Sequence, residues 1–247
     1  MAAPVPQIAG YAVTLEVIVP FAVAQRAADR LDAAWHLEPD GSRRDLFHED
    51  CWALVPEGEA PAGAPSPVRV ALPHGEDCPW CGGPLATLFD LDLADPRMAF
   101  VGLRGSRLRI ATCPRCLPYA APILTDVDGE GRADWSLLNQ EPSFRGDDLE
   151  GLERIVDLPA GALVLGEQQR TPLAAHPFVH TGGASGLGGT PAFLQDAELP
   201  LCPDCLRPMT FLAQLQLADL GEAPLDGMFY AFLCAVHGRA ATLFQQE

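Results

Sequence analysis

The feature that most constrains this chain is that it carries one cysteine-bearing unit twice. Residues 78–95, CPWCGGPLATLFDLDLAD, lie over residues 202–219, CPDCLRPMTFLAQLQLAD, without a gap at an offset of 124. Cys78, Pro79, Cys81, Pro84, Leu88, Leu91, Leu93, Ala94 and Asp95 are matched by Cys202, Pro203, Cys205, Pro208, Leu212, Leu215, Leu217, Ala218 and Asp219. Leu85 faces Met209, an apolar pair of similar volume. Each copy is followed by a second pair of metal-ligand type, Cys113-Pro-Arg-Cys116 after RLRIAT and Cys234-Ala-Val-His237 after GMFYAFL. The intervening stretches, 82–112 and 206–233, hold 31 and 28 residues. A repeat of this kind demands a fold that twice returns the chain to where it started.

The pattern between the pairs says how. Phe89, Leu91 and Leu93 alternate with Asp90 and Asp92, and Ala213, Leu215 and Leu217 with Gln214 and Gln216. Period two means a strand with one buried face, which puts Asp90 and Asp92 on the solvent side. RLRIAT and MFYAFL also read as strands. Each unit is therefore expected to be a knuckle, a strand, a loop and a returning strand that sets the second pair beside the first.

A Cys-Pro-aromatic-Cys can also be a thiol-redox site, but such a site sits where a strand meets a helix whose N-terminus lowers the thiol pKa. Here Cys81 is followed by Gly82, Gly83, Pro84 and strand periodicity. Two short turns that each offer two soft ligands suit tetrahedral zinc instead. The expected ligands are Cys78, Cys81, Cys113 and Cys116 for a first ion, and Cys202, Cys205, Cys234 and His237 for a second. With all four positions supplied by protein, both sites are structural and leave no place for an activated water. A second site with His237 free and a water as fourth ligand is the arrangement that catalysis would require. Four thiolates leave a zinc centre negative, and Arg104, Arg107, Arg109 and Arg115 are close enough in sequence to offset that charge.

Bulk composition narrows the function. There are 24 prolines and 23 glycines, which favour turns and short strands over long helices. Every basic side chain other than histidine is arginine, so Schiff-base chemistry and a P-loop lysine are excluded. A net charge of −17 argues against a protein that grips a phosphate backbone. The apolar run from Ile8 to Ala24 is broken by Glu16 and Pro20. It reads as a strand, YAVTLEVIV, and a short helix, FAVAQRAADRLDAAW, rather than a signal peptide or membrane span. Eight cysteines in a chain so read point to metal or redox use in the cytoplasm, not to a disulfide scaffold.

Other candidates are weaker. HPFVHTGGASGLGGTPAFLQ, residues 176–195, is a glycine-rich loop able to approach a ligand, but no Gly-Lys-Ser/Thr follows it. His176 and His180 have helical metal spacing, which Pro177 opposes. Cys51, near His48, is the one cysteine outside the Cys-x-x-Cys and Cys-x-x-His motifs and reads as a buried filler rather than a nucleophile. Residues 55–67 read as an exposed loop. The Asp-, Gly- and Glu-rich stretch 126–153 is the expected boundary between an N-terminal half, 1–140, and a C-terminal half, 141–247.

The C-terminal third, roughly residues 183–247, carries Gly188, Gly189, Pro191 and Gln195, then Cys202 and Cys205, then Met209, Phe211, Leu212 and Gln214, then Phe229, Tyr230 and Phe232. In that order these motifs resemble the YwqG-like family of bacterial proteins of unknown function. The resemblance implies a β-rich α+β fold and no established enzyme activity. The expectation is a two-zinc, β-rich α+β protein of two related halves with few short helices. Its function is expected to be non-catalytic binding of another protein. The alternatives are an enzyme with its site at the 176–195 loop between the halves, and a zinc-ribbon nucleic-acid binder.

Overall fold

In the computed structural model, the described residues are 7–8, 11–12, 34–37, 43–60, 65–120, 122–142, 163–172, 185–195, 198–220 and 227–246. They form fourteen strands: β1 Gln7–Ile8, β2 Tyr11–Ala12, β3 Ala34–Leu37, β4 Arg43–Pro56, β5 Val68–Asp77, β6 Pro84–Asp92, β7 Arg107–Thr112, β8 Ile123–Val127, β9 Ala133–Trp135, β10 Leu163–Pro172, β11 Gly186–Gly188, β12 Thr210–Gln216, β13 Gly227–Cys234 and β14 Arg239–Gln246. The helices among these residues are short 3-10 turns at Glu57–Glu59, Pro96–Val101, Leu117–Tyr119 and Leu217–Leu220. The protein is β-rich with antiparallel sheets and few short helices, as the turn-rich composition and the strand periods require.

One sheet runs β2-β1-β3-β4-β11-β12-β13-β14-β8-β9, with β10 also paired to β4. The other is β5-β6-β7. One apolar cluster takes Val70, Phe89, Leu91 and Ile110 from the small sheet and Leu212, Leu215, Phe229 and Leu233 from the large one. The Thr112 and Thr242 hydroxyls, 2.8 Å apart, also meet between the sheets. Strands from both sides of residue 140 enter the large sheet: β4 pairs with β10 and β11, and β8 with β14.

The repeat is visible in hydrogen-bond register. β6 pairs with β7 and β12 with β13, and each pairing slips by one residue, between Thr87 and Phe89 and between Phe211 and Ala213. The extra residues are Leu88 and Leu212, both fully buried and equivalent at the offset of 124. A β-bulge is a sequence-specific kink in one strand, so its recurrence at the same place marks two copies of one structure.

The outer faces of the two copies differ. β13 alternates Phe229, Ala231 and Leu233 into the core shared by the sheets with Met228, Tyr230 and Phe232 into a second cluster on the opposite face. Both faces are covered, which is why GMFYAFL is an unbroken apolar run. In the first copy Asp90 points to the outer face but is buried, against the expectation of a solvent-facing carboxylate. Arg69 and Arg107, from the flanking strands, close over it, with Arg109 Nε 3.8 Å away.

Other expectations need correction or fall elsewhere. Ala34 and Trp35, placed at the end of a helix by sequence, belong to β3; most of that helix and of YAVTLEVIV lie outside the described residues. The stretch 126–153 contributes the end of β8 and all of β9 before it leaves the described residues. Gly186–Gly188, read as loop, is a strand between β4 and β12. Its register gives it little side-chain signal, since it consists of two glycines and one leucine. Cys51 lies buried on β4.

Candidate metal centres

Each first pair sits in a turn leading into a strand, and the two turns are built alike. The Cys78 N–H donates to the Gly83 carbonyl (2.7 Å) and the Gly82 N–H to the Cys78 carbonyl (2.9 Å). In the second copy the Cys202 N–H donates to the Arg207 carbonyl (2.9 Å) and the Leu206 N–H to the Cys202 carbonyl (2.8 Å). The residue after the second cysteine is left-handed in both, Gly82 at φ 68° and Leu206 at φ 57°. That conformation suits glycine and strains leucine. The knuckle geometry is therefore imposed on the second copy in spite of its sequence.

The second pairs close the sites from the ends of β7 and β13. The Leu117 N–H donates to the Cys113 carbonyl (3.0 Å) and the His237 N–H to the Cys234 carbonyl (3.2 Å), so both pairs lie on tight turns. The structure brings Cys78, Cys81, Cys113 and Cys116 together, and separately Cys202, Cys205, Cys234 and His237, with the donor atoms of each group all within 4.8 Å. Each group could hold a metal ion.

Distances within the groups separate that use from disulfide chemistry. Cys78 Sγ lies 3.9 Å from Cys116 Sγ and Cys81 Sγ 3.6 Å from Cys113 Sγ. Cys205 and Cys234 Sγ are 4.0 Å apart. A disulfide requires about 2.05 Å. Four thiolates at about 2.3 Å from one ion stand about 3.8 Å from each other along the edges of a tetrahedron. His237 presents Nδ1, 3.7 Å from Cys202 Sγ and 3.4 Å from Cys234 Sγ. These values bracket the shorter edge, about 3.6 Å, expected between a sulfur and a nitrogen ligand.

The protonation pattern suits a cation. Hydrogen bonding by the Cys113 and Cys116 thiols holds Cys78 down at about 2. Cys116, hydrogen-bonded to Cys113 and Cys78, is pushed up. In the second group burial pushes Cys234 up. Within each group one thiol is thus favoured as thiolate at the cost of a neighbour, a competition that a cation would relieve.

Surrounding contacts are asymmetric. Of the arginines expected to offset the first site's charge, Arg115 lies with its guanidinium against Gly83 in the knuckle, whereas Arg107 and Arg109 turn to Asp90. Trp80, between the first two cysteines, packs edge-on against Trp135 of β9 with ring centroids 4.8 Å apart. At the second site Asp204 accepts from Arg239 Nε (2.7 Å), and Arg239 also pairs with Asp126 of β8. Large apolar side chains stand exposed around this second knuckle: Leu201 at 55%, Leu206 at 73% and Val236 at 86%.

The described part of the glycine-rich segment has a structural task that sequence reasoning missed. Gly188, the last residue of β11, and Gly189 are both left-handed, and the chain then lies against the outer face of β12–β14. The Ala192 N–H donates to Gln214 Oε1 (2.9 Å), and the Leu194 N–H to the Tyr230 hydroxyl (3.0 Å). That hydroxyl donates in turn to the Ala192 carbonyl (2.8 Å). Phe193 packs against Tyr230 in a tilted pair, with ring centroids 5.1 Å apart, and the Gln195 N–H donates to Gln245 Oε1 (3.0 Å). His176, His180 and residues 181–184 lie outside the described residues.

Over 215 residues, 87% of its length, the chain is 36% identical to an uncharacterized protein of Salmonella typhimurium, YpfL. It is homologous to that protein and spans about half of its length, 48%. No protein-family model matches the chain, and no solved structure matches it.

Proposed function

We propose that the protein is a zinc-containing, non-catalytic binding protein whose two ions staple the turns of a duplicated sheet module and whose partner is another protein. Zinc fits because the donor sets are three or four thiolates with at most one imidazole, at tetrahedral spacing, with no redox requirement. Both ions are structural: Cys78, Cys81, Cys113 and Cys116 fill one, and Cys202, Cys205, Cys234 and His237 the other. Reduced, closely packed thiols accord with a cytoplasmic setting. The order of motifs from Gly188 to Phe232 supports placing the C-terminal half in the YwqG-like family.

The observation that carries the binding reading is the exposure of Leu201, Leu206 and Val236 around the second knuckle. Other exposed apolar side chains, such as Leu137 and Leu138, stand elsewhere, but these three flank the ligands of one rigid knuckle, which suits a contact surface. A knuckle fixed by a metal presents them without the entropy cost of ordering a loop. Photo-crosslinking from position 236 in cells tests this. A discrete crosslinked partner that is lost in Leu206→Asp, with zinc content unchanged, is the expected result; uniform background labelling that Leu206→Asp does not alter would overturn it.

A further inference from the structure

The two copies treat the same sheet face in opposite ways. At the offset of 124, Asp90 of β6 corresponds to Gln214 of β12. Across the ladder, Asp90 pairs with Arg109 where Gln214 pairs with Tyr230, and Asp92 pairs with Arg107 where Gln216 pairs with Met228. Gln214 and Tyr230 are the two side chains that hold the main chain of residues 192–194 against the second copy. The first copy has no such covering segment among the described residues. Its corresponding face carries a cleft of about 410 Å³ lined by Ser66, Arg69, Asp90, Asp92, Ser106 and Arg107.

The chemistry of that face is specific. Asp90 is 3% exposed, accepts from both Arg107 Nε (2.5 Å) and Arg107 Nη2, and accepts from Arg69 Nη2 (2.7 Å). One carboxylate therefore fixes two guanidiniums, with a third, Arg109, 3.8 Å away. The three arginine side chains remain 37–56% exposed. Three guanidiniums against Asp90 and Asp92 leave this face locally positive on a chain of net charge −17. Planar, pre-positioned forks of this kind pair with carboxylates, with two hydrogen bonds each.

We propose that the outer face of β5–β6–β7 is a docking groove for an extended peptide segment of a partner bearing carboxylate side chains, laid where residues 190–195 cover the second copy. The second copy supplies the precedent for the shape of the occupant, an extended chain crossing the sheet. Arg69, Arg107 and Arg109 supply its charge. A nucleic-acid strand is disfavoured because its unbroken row of phosphates would meet Asp90, Asp92 and the acidic surface beyond the groove, whereas a peptide with a few spaced carboxylates places them on the arginines alone. This groove is separate from the apolar knuckle and goes beyond the reading above.

Fluorescence anisotropy on the full chain tests it with labelled hexapeptides of alternating Glu-Leu and of alternating Gln-Leu, and with a labelled oligothymidylate. The Glu-Leu peptide is expected to bind more tightly than the Gln-Leu peptide and to weaken with added salt. The double variant Arg69→Gln/Arg109→Gln, which leaves the Arg107–Asp90 pair in place, is expected to lose about tenfold in affinity or more, the scale of one lost charge-assisted pair. Val236→Asp is expected to leave this affinity unchanged, which separates the groove from the knuckle. On the wild-type chain, the Glu-Leu peptide should protect Arg69 and Arg109, but not Arg132, from arginine-selective phenylglyoxal modification. Equal binding of both peptides, no protection, or tighter binding of the oligothymidylate would each overturn the proposal.

Discussion

Gly82 and Leu206 occupy one left-handed position in two copies of the same turn, and they set up a direct comparison of backbone strain. A Cβ at Gly82 meets nothing within 4 Å, so substitution there is resisted by the backbone alone. Gly82→Ala is expected to lower stability by about 1 kcal/mol. Leu206→Gly should be neutral or stabilising in a thermal melt, because relief of the left-handed strain offsets the entropy that glycine adds to the unfolded chain. A loss of stability in both variants would mean that the Leu206 side chain, not the turn, matters there. The same scale shows a limit of reading by period. Alternation correctly gave β6 one core face, with Phe89 and Leu91 inward, but assigned Asp90 to solvent. Its arginines come from strands 21 and 17 residues away, and nothing in the local pattern announces that they converge on one carboxylate.

Among the elements, the segment 190–195 shows what a bare sheet face needs. Tyr230 serves two main-chain groups with one hydroxyl, and burial pushes its phenol up, so it stays a neutral donor and acceptor. Tyr230→Phe leaves the Ala192 carbonyl and the Leu194 N–H without that partner. The expected cost is about 2 kcal/mol, with faster amide hydrogen exchange at Leu194 and little change in β13 itself. Unchanged exchange at Leu194 would show that the cover does not depend on Tyr230. The buried bulge residues behave differently: Leu88→Ala and Leu212→Ala should each cost about 3 kcal/mol by leaving a cavity. The apolar run of β13 announced a buried strand, and the GG-x-P-x-x-x-Q pattern was visible as a motif. Its purpose was not legible, because the contacts are main chain to side chain between segments more than twenty residues apart in sequence.

At the scale of the whole molecule, two sheets share one core, the large one takes strands from both sides of residue 140, and two groups of metal-ligand type gather at the turns. The internal repeat made the grouping of Cys78, Cys81, Cys113 and Cys116, and of Cys202, Cys205, Cys234 and His237, readable from spacing alone. What spacing could not give is the interleaving, since β4 and β8 are absent from the repeated unit and find their partners only in three dimensions. Cys113→Ser should remove one ion and destabilise the contact of β7 with its knuckle, leaving the second ion bound, because the two groups share no ligand. Acidification should release the ions as protons compete for the thiolates, visible as a fall in bound metal with pH.

Metal content measured on purified protein, together with thermal melts before and after chelation, decides whether zinc holds the two knuckles. Two zinc ions per chain and a large fall in melting temperature when both are removed are expected, since formation of such a site is part of the folding free energy. Protein that carries no metal, melts identically with chelator and contains a reducible disulfide within either group would contradict that expectation.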